Sequence, residues 1–90
     1  MKNVLLSTKV KNLFREKSVE FVNFHNIRVN GTNLGCSGFV KKCNKFVYVS
    51  TDTHNGKILY RTASSEKDYV GGFNNYCTKE ELVDKVMRLL

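Results

Sequence analysis

Residues 45–61 read KFVYVSTDTHNGKILYR, and this stretch decides the fold class. Phe46-Val47-Tyr48-Val49 is aromatic and β-branched at successive positions, so both faces of an extended segment are apolar. That pattern predicts a central strand covered on two sides. The polar turn Asp52 to Gly56 follows and contains Asn55-Gly56, and Lys57-Ile58-Leu59-Tyr60-Arg61 returns as the hairpin partner.

Working outward, the same hairpin signal recurs upstream. Val19 to Phe24 alternates weakly, and Ile27 and Val29 lead into Asn30-Gly31. A strand around Phe39–Val40 meets the polar turn Lys41-Lys42-Cys43-Asn44. The glycine-rich stretch Asn33-Leu34-Gly35-Cys36-Ser37-Gly38 lacks the Lys-Ser/Thr ending of a phosphate loop, and no helical pattern follows it. Gly35 and Gly38 therefore read as a bulge or bend between strands.

Helical patterns stand at both ends. Thr78 and Glu81 form a capping box ahead of Leu82, Val83, Val86, Leu89 and Leu90, which predicts a helix from about Lys79 to the end of the chain. From about Asn3 to Lys17, Leu6, Val10, Leu13, Phe14 and Lys17 share one face and predict a first helix. The expected architecture is a single α+β domain over residues 1–90: an N-terminal helix, an antiparallel meander of three to five strands, and a C-terminal helix, with both helices on one face of the sheet. This order of elements is similar to that of double-stranded-RNA-binding domains. The resemblance is one of topology alone: where those domains open their second helix with a basic cluster, this chain has Thr78-Lys79-Glu80-Glu81.

Ninety residues allow one domain. With 41% hydrophobic and 26% charged residues, the chain is too apolar for disorder. Val4-Leu5-Leu6 is broken by Ser7, Thr8 and Lys9, and no run approaches a membrane span, so a cytoplasmic location is expected. Lysine (11) and asparagine (10) are abundant, both with A/T-rich codons, which fits an accessory gene of a phage or other mobile element.

The net charge of +7 is unevenly placed. Residues 1–49 hold nine cations and two acids, whereas residues 50–90 hold six of each, so the whole excess lies in the first half. Lys9, Lys11, Arg15, Lys17, Arg28, Lys41, Lys42 and Lys45 are the candidate anion-binding residues. Lysine-rich charge suits phosphate contact better than bidentate base reading, so nucleic acid or a nucleoprotein is the first expected partner. A solvated face that keeps the protein soluble is the plainer alternative.

Ser64 to Cys77 forms a long connection carrying Tyr69, Gly71-Gly72, Phe73 and Tyr76. Its aromatics either fold back to cap the sheet or form a protein-binding loop. In the second case the chain is an interaction module, and an anti-CRISPR-like inhibitor of a host defence nuclease is one form of it. Tyr60-Arg61 beside this loop reads as a contact surface or as a core Tyr with a structural Arg–carboxylate pair.

Catalytic signatures are lacking, so no enzyme and no cofactor are expected. Cys36, Cys43 and Cys77 with His25 or His54 have no standard zinc spacing, and three buried or half-buried free thiols are the expectation. Cys77 precedes a helix, where the dipole lowers a thiol pKa if nothing opposes it.

Overall fold

The computed structural model describes residues 8–51, 57–69 and 73–90, apart from the side chains of Thr8, Arg28, Asn33 and Leu34. The elements are α1 (Thr8–Glu16), β1 (Glu20–Val29), β2 (Thr32–Lys42), β3 (Lys45–Ser50), β4 (Ile58–Ala63), β5 (Asn75–Cys77) and α2 (Leu82–Leu89). All five strands are antiparallel and lie in chain order, β1-β2-β3-β4-β5, so β3 is central as its two-sided apolar sequence requires. The α+β meander with a helix at each end is therefore the fold.

Local chemistry explains the boundaries. Helix α1 ends in a Schellman motif: the Val19 amide donates to the Phe14 carbonyl, the Ser18 amide donates to the Arg15 carbonyl, and Ser18 takes a left-handed φ of 62°. Val19 and Phe14, the apolar pair that accompanies such a cap, are both buried. Lys17, expected on the apolar face, is exposed because the chain is already leaving the helix there. The expected start near Asn3 lies outside the described residues.

Asn30 and Gly31 both have positive φ, 51° and 79°, as a type I′ turn demands, and Val29 pairs with Thr32 across it. The segment from Glu20 to Val29 is one strand, β1, with a bulge at Asn23. The Asn33–Gly38 stretch carries the expected bulge and not a bend between strands. It lies inside β2, and its glycines meet the irregularities of the β1–β2 pairing. The Asp52–Gly56 turn lies outside the described residues.

At the C-terminal end the capping box forms in both directions. The Glu81 amide donates to Thr78 Oγ1 at 3.3 Å, and the Thr78 amide donates to Glu81 Oε1 at 3.0 Å. The Thr78–Glu81 segment is a turn, so regular helix starts at Leu82, three residues later than the sequence pattern predicts. These hydrogen bonds favour the ionised Glu81 and hold its pKa below the usual value.

Both helices lie on one face of the sheet. Val10 and Phe14 of α1 and Leu82, Val83 and Val86 of α2 share a core with Val40, Val47, Val49, Ile58 and Tyr60 from the strands. Each large side chain buried there contributes roughly 1.5–3 kcal/mol.

The opposite face is covered by the chain after β4. Tyr69 packs on Phe39 (5.1 Å between ring centroids) and on Tyr48 (6.0 Å). Arg61 is only 5% exposed: its guanidinium lies 4.4 Å from the Tyr48 ring centroid, and Nη1 donates to the Asp68 carbonyl. Asp68 Oδ2 in turn accepts from the Ser64 amide and hydroxyl, which closes the turn. Arg61 is thus a structural residue and not a contact anchor. The connection also ends in a strand of its own, β5, which period-two patterning over three residues was too short to reveal.

Candidate nucleic-acid interface

The first-half cations fall into three groups once the fold is known. Lys9 and Lys17 line a groove of about 490 Å³ between α1 and the start of α2, floored by Val10, Leu13 and Val83. Across it stand Lys79, Glu80 and Asp84, so this flank mixes both signs. Lys11 and Arg15 point to the other flank of α1, over β1.

The third group is at the β2–β3 turn. Strand alternation puts Lys42 and Lys45 on the helix-bearing face, two residues beyond core Val40 and Val47. They are paired directly across the ladder. Like charges opposite each other are destabilising in a sheet, and a bound anion would remove that cost. Glu20 pairs with Lys41, so the exit of α1 through Lys17 and the Lys42–Lys45 turn occupy the same end of the sheet. Lys41 itself faces the other way, with its ammonium 5.5 Å from the Phe46 ring centroid. Arg28 belongs to β1, but its side chain lies outside the described residues.

A cleft of about 220 Å³ lies beneath Lys11 and Arg15, with Phe21, Phe24, His25 and Asn26 as its remaining walls. Its aromatic wall depends on the bulge. In an unbroken strand, Phe21 and Phe24 would point to opposite faces. Asn23, at φ 51°, is the extra residue, and it turns Phe24 back beside Phe21 at 5.2 Å, edge to face. Phe21 meets buried Phe14 in the same manner at 5.9 Å, so three rings run from core to cleft.

Two contacts hold the bulge. Asn23 Nδ2 donates to the Glu66 carbonyl of the covering turn at 3.0 Å. Opposite it, a Cβ on Gly38 would lie 2.5 Å from Phe24 Cα and 2.9 Å from the Asn23 carbonyl oxygen, so only glycine fits without a backbone shift. His25 Nδ1 is 3.2 Å from the Asn23 carbonyl, which can only accept, and Nε2 is 3.3 Å from Ser37 Oγ. The sequence reading missed these cleft residues. The available signal was an Asn, which tolerates left-handed backbone, between two aromatics spaced three apart in a strand.

The three aromatics of the Ser64–Cys77 connection serve different ends. Tyr69 is half exposed and belongs to the sheet cover, whereas Phe73 is 93% exposed and Tyr76 lies half exposed on edge strand β5. Gly71-Gly72 lies outside the described residues.

The thiols also separate. Cys36 and Cys77 are buried, but Cys43 is exposed at the β2–β3 turn, contrary to the expectation of three sheltered thiols. Cys36 and Cys43 stand seven residues apart along one strand direction, roughly 23 Å at 3.3 Å per residue, too far to share a metal ion. Among the described residues no three His, Cys, Asp or Glu side chains converge on a metal position, and His54 lies outside them. Burial, with Glu81 nearby, pushes the Cys77 thiol up to about 11, so desolvation overrides the helix dipole invoked from sequence. Among the described residues no helix is long and apolar enough to cross a membrane.

Comparison of the chain with models of protein families, with curated proteins and with solved structures found no match.

Proposed function

We propose that this chain is a non-enzymatic binding protein that contacts nucleic acid, free or within a nucleoprotein, through a cationic band on its helix-bearing face. The observation that carries this reading is the convergence of Lys17 with the paired Lys42 and Lys45 at one end of the sheet, continued along α1 by Arg15 and Lys11. A cross-strand lysine pair carries a cost in stability, and a phosphate between the two ammonium groups would offset it.

Fluorescence anisotropy with labelled DNA and RNA oligonucleotides across a salt series tests the proposal. Affinity should fall log-linearly with salt, and Lys42→Glu with Lys45→Glu should weaken binding and flatten the slope. The proposal fails if neither single- nor double-stranded DNA or RNA binds at low salt.

A second reading rests on Phe73, whose ring is 93% exposed next to edge strand β5. An exposed aromatic beside an open edge suits a protein partner. A mobile-element inhibitor of a host defence nuclease, anti-CRISPR-like, is consistent with that surface, and the basic charge argues against inhibition by DNA mimicry. Loss of a cross-linked partner on Phe73→Ala, with far-UV circular dichroism unchanged, would support it; an unchanged cross-link would remove it.

A further inference from the structure

Resting on the nucleic-acid reading, we infer that the Phe21–Phe24 cleft takes an unpaired base, so that the protein prefers single strands to duplex. At about 220 Å³ the cleft is below the roughly 300–1,000 Å³ of sites for drug-sized molecules, which suits one planar group. One side is built from two half-buried phenylalanine rings and the other from two cations, Lys11 and Arg15, on the neighbouring helix.

Aromatic platforms under a basic rim are the common construction of single-strand sites, because every base has a stacking face and every nucleotide a phosphate. The Asn26 amide at the rim can both donate to and accept from a base edge. A duplex keeps its bases stacked and offers this cleft only its phosphates. Phe24 reaches the cleft through the bulge at Asn23, tethered to Glu66, which turns back a residue that alternation would send to the other face. The neighbouring α1–α2 groove has an apolar floor but carries Glu80 and Asp84, which oppose a polyanion.

The test measures native protein by anisotropy on four labelled probes of equal length: oligothymidylate, oligouridylate, a DNA duplex, and a DNA strand with a run of abasic sites. Stacking of one base is worth about tenfold in affinity, so the intact strands should bind at least that much more tightly than the duplex and the abasic strand. Phe24→Leu keeps an apolar side chain against the core and should lose about tenfold on oligothymidylate with an unchanged salt slope. Lys11→Gln with Arg15→Gln should instead reduce the slope.

Equal affinity for intact, abasic and duplex probes would overturn the inference while leaving the cationic band standing. No binding to any probe at low salt would overturn both. The abasic comparison uses unaltered protein, so it decides the matter even if Phe24→Leu fails to fold.

Discussion

Replacing Gly38 by alanine adds one methyl group where β2 faces the bulge of β1. The added Cβ would sit 2.5 Å from Phe24 Cα, 2.7 Å from its ring and 2.9 Å from the Asn23 carbonyl oxygen. Two of these three atoms are backbone, so a rotamer change cannot relieve the clash and β1 must move. Overpacking costs roughly 1–3 kcal/mol, and backbone obstruction puts this case near the top, at about 3 kcal/mol. For a domain of this size each kcal/mol lowers Tm by roughly 4–8 °C, so thermal unfolding followed by circular dichroism should drop by about 12–24 °C. Gly31→Ala is the internal control: no atom lies within 4 Å of its added Cβ, and only the left-handed φ of 79° opposes it. Its expected cost is about 1 kcal/mol, since αL strain is partly offset by a less disordered unfolded chain. The reasoning is refuted if Gly38→Ala costs no more than Gly31→Ala.

Ser18→Gly places the residue that tolerates left-handed backbone at the end of α1 and should raise stability by about 0.5–1 kcal/mol, read as a higher urea midpoint with unchanged m. Arg61→Met keeps the bulk but removes the donor to Asp68 and the charge over Tyr48; a loss of roughly 1.5–3 kcal/mol is expected, with a changed near-UV spectrum, and a neutral result would mean the sheet cover does not depend on Arg61. The Cys77 thiol, at about 11 in the folded protein against 9.0 ordinarily, keeps its proton where the unfolded chain has lost it. Its contribution to stability is therefore intact below pH 9 and is lost as pH rises towards 11, and Tyr60, also pushed up by burial, adds in the same direction; Cys77→Ala should flatten that alkaline decline in urea unfolding. With a thiol reagent at neutral pH, Cys43 should react at once and Cys36 and Cys77 only on unfolding.

Features set by neighbours in sequence were legible in advance. The Asn30-Gly31 turn and the Thr78–Glu81 box each depend on residues within four positions, and the two-sided apolar run of β3 announces a central strand. The cleft was not legible, because whether Phe24 faces the helices depends on Gly38 across the sheet and on Glu66 in a distant turn. A structural Arg61 was one of the two readings the sequence offered, but its partners were not legible: the guanidinium lies over Tyr48 and donates to the Asp68 backbone carbonyl, not to a carboxylate. The lysines of α1 were correctly read as basic, but their division into a mixed-sign flank and a cationic flank needs the position of α2. β5 is too short to carry a periodic signal and exists by pairing with β4.

Because the strands lie in chain order, the cost of chain closure rises along the sheet. β1–β2 and β2–β3 each close over two residues, whereas β3–β4 closes over residues 51–57 and β4–β5 over residues 64–74. Closure entropy grows by about 0.6 kcal/mol per doubling of loop length, so β4–β5 is the dearest pairing to nucleate and has the fewest ladder residues to hold it. The amides of the inner strands β2 and β3 should consequently exchange hydrogen only on global opening, and those of β5 through local detachment. Phe73 and Tyr76 thus ride on the segment that assembles last and releases first, while the paired Lys42 and Lys45 belong to the part that persists.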